Sequence, residues 1–162
     1  MSLSGFSVNL SNYHNEISRF KIGIAYTLWN DQIVNVLKNG AVKSLLKLGV
    51  PKSHIIEYPT PGAVELPLTS QKLFESENVD AVICLGCVIK GDTPHFEYVC
   101  QVATQGILNV SLKFSKPNIM GVLTVLTEDQ AHERIGGSHG HKGEEAATTA
   151  LYQLLQYNHF NQ

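Results

Sequence analysis

From Lys21 onward, short β-rich apolar runs alternate with longer stretches of helical periodicity, and that alternation leaves few folds open. The runs are KIGIAYT (21–27), HIIEYP (54–59), DAVICLGCVI (80–89) and IMGVLTVL (119–126). After the first, Asn30-Asp31 suits a helix N-cap, and Ile33, Val34, Leu37, Ala41, Leu45 and Leu48 recur at helical spacing. Gly49 ends that helix, with Pro51 just beyond. PTPGAVELP turns into a second helix reaching about Glu77, where Pro67 fits only the first turn. KGDTPHFEYVC opens a long helix, with Asp92 or Thr93 as its cap and Pro94 in its first turn, ending at Lys116-Pro117. Thr127 caps a short helix, EDQAHERI, and a glycine-rich loop, GGSHGHKG, precedes a last helix over 142–158.

An order βαβαβαβα implies a parallel sheet, right-handed crossovers and helices on both faces. The expected fold is a three-layer, flavodoxin-like α/β sandwich with a four-stranded parallel sheet. Residues 21–162 form its single domain, and residues 1–20 an N-terminal arm with FSVNL as a short strand. In such sheets ligands bind beyond the carboxyl ends of the strands. That rule selects Leu28–Asp31, Pro61–Glu65, Cys87–His95 and Leu126–Thr127.

Composition narrows the function classes. The 162 residues are 43% apolar, which argues against disorder as the main state. Only 16% are charged and the net charge is −2, so nothing marks a nucleic-acid or anionic-membrane partner. So low a charge fraction suggests a surface covered by further copies of the chain. No apolar run is long enough to span a membrane, and the N-terminus lacks a signal-peptide pattern, so the expected compartment is the cytoplasm. Three cysteines, Cys84, Cys87 and Cys100, argue against a disulfide framework. Cys84 and Cys87 form a C-x-x-C, but on a strand their side chains point to opposite faces and cannot share a metal. His132, His139 and His141 have no partner at zinc-like spacing, so no metal is expected. No dinucleotide fingerprint follows a strand, so a nicotinamide cofactor lacks its motif; no nucleophile elbow occurs, and the GGSHGHKG loop lacks the P-loop pattern.

The candidate residues each admit a plain and a functional reading. Gly91, Asp92 and Thr93 join a buried strand to a helix start, a turn whose main-chain N–H groups suit phosphate. His95, in that first turn, is suited to proton transfer or is simply exposed. Trp29 lies at the rim, either stacking on a heteroaromatic ring or packing locally. Ala63 and Val64 offer main-chain groups, while Glu65 either accepts hydrogen bonds from a ligand or complements a helix dipole. Arg134 matches phosphate with a bidentate fork or offsets a helix C-terminus. Lys142 opens the last helix.

Read together, the motifs W-N-D (29–31), P-G-A-V-E-L-P (61–67), L-G-C-V-I-K-G-D-T-P-H-F-E-Y-V (85–99), G-V-L-T (121–124), T-E-D-Q-A-H-E-R (127–134) and H-K-G-E-E-A-A (141–147) resemble the lumazine synthase family. The resemblance implies condensation of 5-amino-6-(D-ribitylamino)uracil with 3,4-dihydroxy-2-butanone 4-phosphate, the penultimate step of riboflavin biosynthesis, without cofactor or metal. It implies that Trp29 stacks on the pyrimidine and that Ala63, Val64 and Glu65 hold the ribityl chain. It implies further that main-chain groups of Cys87, Val88 and Ile89 meet the uracil edge, that Gly91, Asp92, Thr93 and Arg134 bind phosphate, that His95 moves protons and that Lys142 is a site lysine. Met120 stands where the family has a second ring-covering aromatic, usually phenylalanine, so contact survives but stacking is lost. Asp92 places a carboxylate beside the phosphate loop. Trp29, in place of the commoner phenylalanine, offers a larger face for a flavin.

Met120 starts its strand, the wrong end for a site within one chain, so if it covers the ligand as the resemblance implies, it does so from a neighbouring copy. The resemblance accordingly implies a pentamer with its site between subunits, or a 60-mer shell of twelve pentamers, and riboflavin synthase as a candidate partner. Two other classes remain on the same fold: a non-catalytic flavin-binding or storage protein, and a shell-forming scaffold. The joint presence of His95 and Arg134 favours the enzyme.

Overall fold

The computed structural model describes residues 7–161. A 3-10 turn (Ser11–Tyr13) and a short helix α1 (His14–Ile17) lead into β1 (Ile22–Thr27), α2 (Asp31–Leu48), β2 (Ile55–Thr60) and α3 (Leu66–Ser76). Then follow β3 (Ala81–Ile89), α4 (His95–Phe114), β4 (Asn118–Val125) and α5 (Glu128–His132). After these come β5 (Ile135–Gly137), β6 (Gly140–His141) and α6 (Lys142–Asn158), with a 3-10 turn (His159–Asn161) beyond it. The first four strands make a parallel sheet in the order β2-β1-β3-β4, as the alternation predicts.

Composition explains the strand order. β3 is buried from Ala81 through Cys87, as an inner strand covered on both faces must be. β2 exposes Tyr58 and carries Pro59, which an edge strand tolerates. One apolar core lies under α2 and α6, built on Ile24, Leu37, Leu45, Leu85 and Leu151. Leu10, Ile17 and Phe20 are buried in it too. The other core lies under α3 and α4, built on Leu66, Leu73, Phe74, Ile107 and Val122. Cys84 belongs to the second core and Cys87 to the first, so the C-x-x-C does straddle the sheet. Among the described residues no helix is long and apolar enough to cross a membrane.

Four local expectations need correction. Residues 7–10 of the FSVNL segment form no strand, and Phe6 lies outside the described residues. Asn9 Oδ1 instead accepts from the Ser11 amide (3.0 Å) and hydroxyl (2.7 Å), a local alternative to strand pairing. Asn30 does not cap α2 with its side chain, because its backbone is left-handed (φ 55°) and its amide turns to β3. Neither Asp92 nor Thr93 caps α4, since Pro94 itself holds the N-cap position. The glycine-rich loop is a small antiparallel hairpin, β5–β6, made possible by Gly136 (φ 114°) and Gly140 (φ 81°). Consequently α5 stops at His132, and Arg134 sits in the turn after it rather than on the helix.

Candidate active site

A cleft of about 530 Å³ opens beyond the carboxyl ends of β1, β2 and β3. Trp29, Ala63, Val64, Glu65, Cys87, Val88, Ile89 and His95 line it, together with Asn30 and Gly62. The sequence reading thus brings eight of its candidates to one place. The Trp29 turn is anchored through its main chain. Leu28 N donates to Thr60 O (2.9 Å), Trp29 N donates to Pro61 O (3.2 Å), and the Thr27 hydroxyl donates to Trp29 O (3.2 Å). Trp29 is 74% exposed, so the fixed turn presents a largely uncovered aromatic residue.

Ala63–Glu65 form a 3-10 turn leading into α3. One carboxylate oxygen of Glu65 accepts from the Gly62 amide at 3.0 Å, so Glu65 braces the turn as well as facing the cleft. β3 runs past β1, whose last paired residue is Tyr26 opposite Leu85. The amides of Val82 and Lys90 donate toward β4, to Pro117 O and Val125 O, so even-numbered residues of β3 face that side. Cys87 and Ile89 therefore turn their main-chain groups to the opposite side, where β1 has ended. The Cys87 carbonyl is already taken by Asn30 Nδ2 at 2.9 Å. That leaves Ile89 as the main-chain edge beyond the amide. Burial pushes the Cys87 thiol up to about 11, with Glu128 adding to it, so the thiol is a neutral wall and no nucleophile.

Gly91, Asp92 and Thr93 form the exposed turn between Ile89 and His95 and do not line the cleft themselves. A side chain added at Gly91 would meet nothing within 4 Å, which leaves room for a guest beside that turn. No side chain caps α4. The Glu97 carboxyl is held below its ordinary range, first by its own main-chain amide in the first helical turn and then by Lys90, 3.2 Å away. The start of α4 therefore favours negative charge.

A second cleft, also about 530 Å³, runs along the edge strand β4. Met120 and Thr124 form its floor, with Gln130, Glu133, Arg134, His139 and Lys142 around it. It shares no lining residue with the first. Arg134 Nη1 donates to His139 O at 3.4 Å, and Lys142 lies 3.5 Å from Glu145. The Ser138 hydroxyl and amide donate to Glu133, holding its carboxyl below its ordinary range, with His139 contributing. The structure thus splits the predicted residues, with Trp29 and His95 in one cleft and Met120, Arg134 and Lys142 in another. Sequence reasoning missed Asn30 as a brace and Gln130, Glu133 and His139 as lining residues. The Asn-Asp pair read as a cap, and only the hairpin, which was not expected, brings His139 back beside Arg134.

The chain is similar to one family over nearly all of its length. The family model for 6,7-dimethyl-8-ribityllumazine synthase matches residues 19–157. A protein of that name from Cytophaga hutchinsonii is 49% identical over 157 residues, covering 95% of this chain and 99% of its own length. One from Porphyromonas gingivalis is 49% identical over 147 residues, covering 88% of this chain and 91% of its own. One from Coxiella burnetii is 42% identical over 137 residues, covering 85% and 91%. With the match running through both clefts and the whole sheet, the chain belongs to the 6,7-dimethyl-8-ribityllumazine synthase family.

Proposed function

We propose that the chain condenses 5-amino-6-(D-ribitylamino)uracil with 3,4-dihydroxy-2-butanone 4-phosphate, giving 6,7-dimethyl-8-ribityllumazine, inorganic phosphate and water. The 5-amino group adds to the ketone and loses water to form a Schiff base. Phosphate then leaves, and the ribityl-bearing nitrogen closes the ring with loss of a second water. No oxidant or reductant is needed.

The observation that carries this reading is the division of the candidate residues between two clefts with no lining residue in common. A flat pyrimidine suits the exposed indole of Trp29, with Ile89 main-chain groups at its edge and the Ala63–Glu65 turn near its ribityl hydroxyls. A phosphate suits the Gly91–Thr93 turn and the Arg134 guanidinium. In this reading the second cleft of one copy closes the first cleft of the next. Met120, Arg134 and Lys142 then reach across, and His95 gives protons to and takes them from the reacting substrates. The copies form a ring of the kind the family resemblance implies, a pentamer or a shell built from pentamers. Holding amine and ketone in register supplies much of the acceleration, since good orientation is worth up to about 7–11 kcal/mol.

The test mixes both substrates with purified chain and follows lumazine fluorescence. The reading predicts product above the spontaneous condensation, and a rate equal to that background would overturn it.

A further inference from the structure

Lys142 and Arg134 are joined through the base of the hairpin. Lys142 N donates to Arg134 O at 2.8 Å, and Ile135 pairs with His141. The side chain of His141 contacts α2. A Cβ added at Gly40, in the middle of that helix, would fall 2.1 Å from Cε1, 2.5 Å from Nε2 and 2.8 Å from Nδ1 of the His141 ring. The Cε1 side of the ring therefore fills a position that only glycine leaves open. Its Nδ1 is buried and has no hydrogen-bond partner among the described residues. On the other side of Lys142, a Cβ at Gly143 would fall 2.0 Å from the Leu37 carbonyl oxygen, one turn earlier on α2. Lys142 is thus flanked by two close seats on the same helix.

Neither seat is explained by helix propensity. Glycine inside a helix is unfavourable, and so is a buried ring nitrogen without a partner. Both features make sense if the fit, rather than the local stability, is what matters. Small displacements at this point shift the main chain of Lys142 and, through its amide, the carbonyl of Arg134. We propose that His141, keyed into Gly40, is a positioning residue for the pair of cations in the second cleft, and so for the phosphate-bearing substrate. This rests on the function proposed above.

The experiment uses the full chain with His141→Asn, Gly40→Ala and the double variant Gly40→Ala/His141→Ala, varying each substrate in turn. Both single variants should raise KM for the phosphate-bearing ketone about tenfold or more, the scale expected when a site shifts by a fraction of an ångström to an ångström. KM for the pyrimidine should stay near the parent value. The double variant, where the smaller side chain makes room for the new methyl, should recover part of the loss seen in Gly40→Ala. Should Gly40→Ala fail to fold, His141→Asn alone decides. A merely structural role would lower the thermal midpoint while leaving both KM values unchanged, and that result overturns the proposal. So does an equal rise in both KM values. An inactive parent chain would instead sink the proposed function.

Discussion

Nδ2 of Asn30 donates to the main-chain carbonyl of Cys87 at 2.9 Å. The contact joins the turn after β1 to the overhanging end of β3, where no strand remains to satisfy that carbonyl. Asn30 holds a left-handed backbone (φ 55°, ψ 43°), a conformation asparagine tolerates better than most residues. Together with the bonds made by Thr27, Leu28 and Trp29, it braces the turn that brings Trp29 to the first cleft with its side chain largely exposed. The same side chain occupies the Cys87 carbonyl and leaves the main-chain groups of Ile89 open.

Losing that amide should loosen the pyrimidine side of the site. Asn30→Ala removes the hydrogen bond and strains a left-handed position, whereas Asn30→Gly removes the bond alone. A typical net hydrogen bond of about 1 kcal/mol corresponds to roughly a fivefold rise in KM for the pyrimidine with Asn30→Gly. Asn30→Ala should cost more. Steady-state assays with each substrate varied separately check both.

His95 is exposed on the first turn of α4 and lines the first cleft. His95→Ala should lower kcat by about 10²–10⁴-fold, the usual range for one general acid–base group. Activity should still exceed the spontaneous reaction, because orientation does not depend on the imidazole. Single-turnover assays against a protein-free control measure the remainder.

The two strand cysteines should make stability fall at alkaline pH. Burial pushes the Cys84 thiol up to about 12 and the Cys87 thiol up to about 11, against an ordinary value of 9.0. Between pH 9 and those values the unfolded thiols have lost protons that the folded ones retain. The unfolded state then binds fewer protons, so unfolding becomes easier as pH rises. The steepest slope expected from the fully buried Cys84 is about 1.4 kcal/mol per pH unit. Urea unfolding from pH 8 to 11 should show the decline, and Cys84→Ala should flatten it relative to the parent.

Much of this architecture was legible in residue order. The strand runs, the helix ending at Gly49, the Thr127 cap and the last helix all stand where periodicity puts them, and Thr127 Oγ1 accepts from Gln130 N at 3.3 Å. These are local signals, complete within one element. What sequence could not show depends on contacts between elements. Asn30 satisfies a carbonyl fifty-seven positions away instead of its own helix. Asp92 and Thr93 were good caps on propensity, yet Pro94 took the position. The hairpin depends on Gly136 and Gly140 and on the seat of His141 against α2, a helix distant in sequence. Most of the first cleft followed from the rule about strand ends, because its residues cluster on consecutive loops. The second cleft did not, because it lies along an edge strand.

Mixing two damaged chains decides whether one site draws Trp29 and Arg134 from different copies, as proposed. Trp29→Ala and Arg134→Ala chains are purified separately, assayed, then dissociated and reassembled together in equal amounts. Random assembly around a ring places both native half-sites at about a quarter of the interfaces, so the mixture should exceed either variant alone. A mixture no more active than the mean of the two variants would show that both residues serve a site within one chain, contradicting the account.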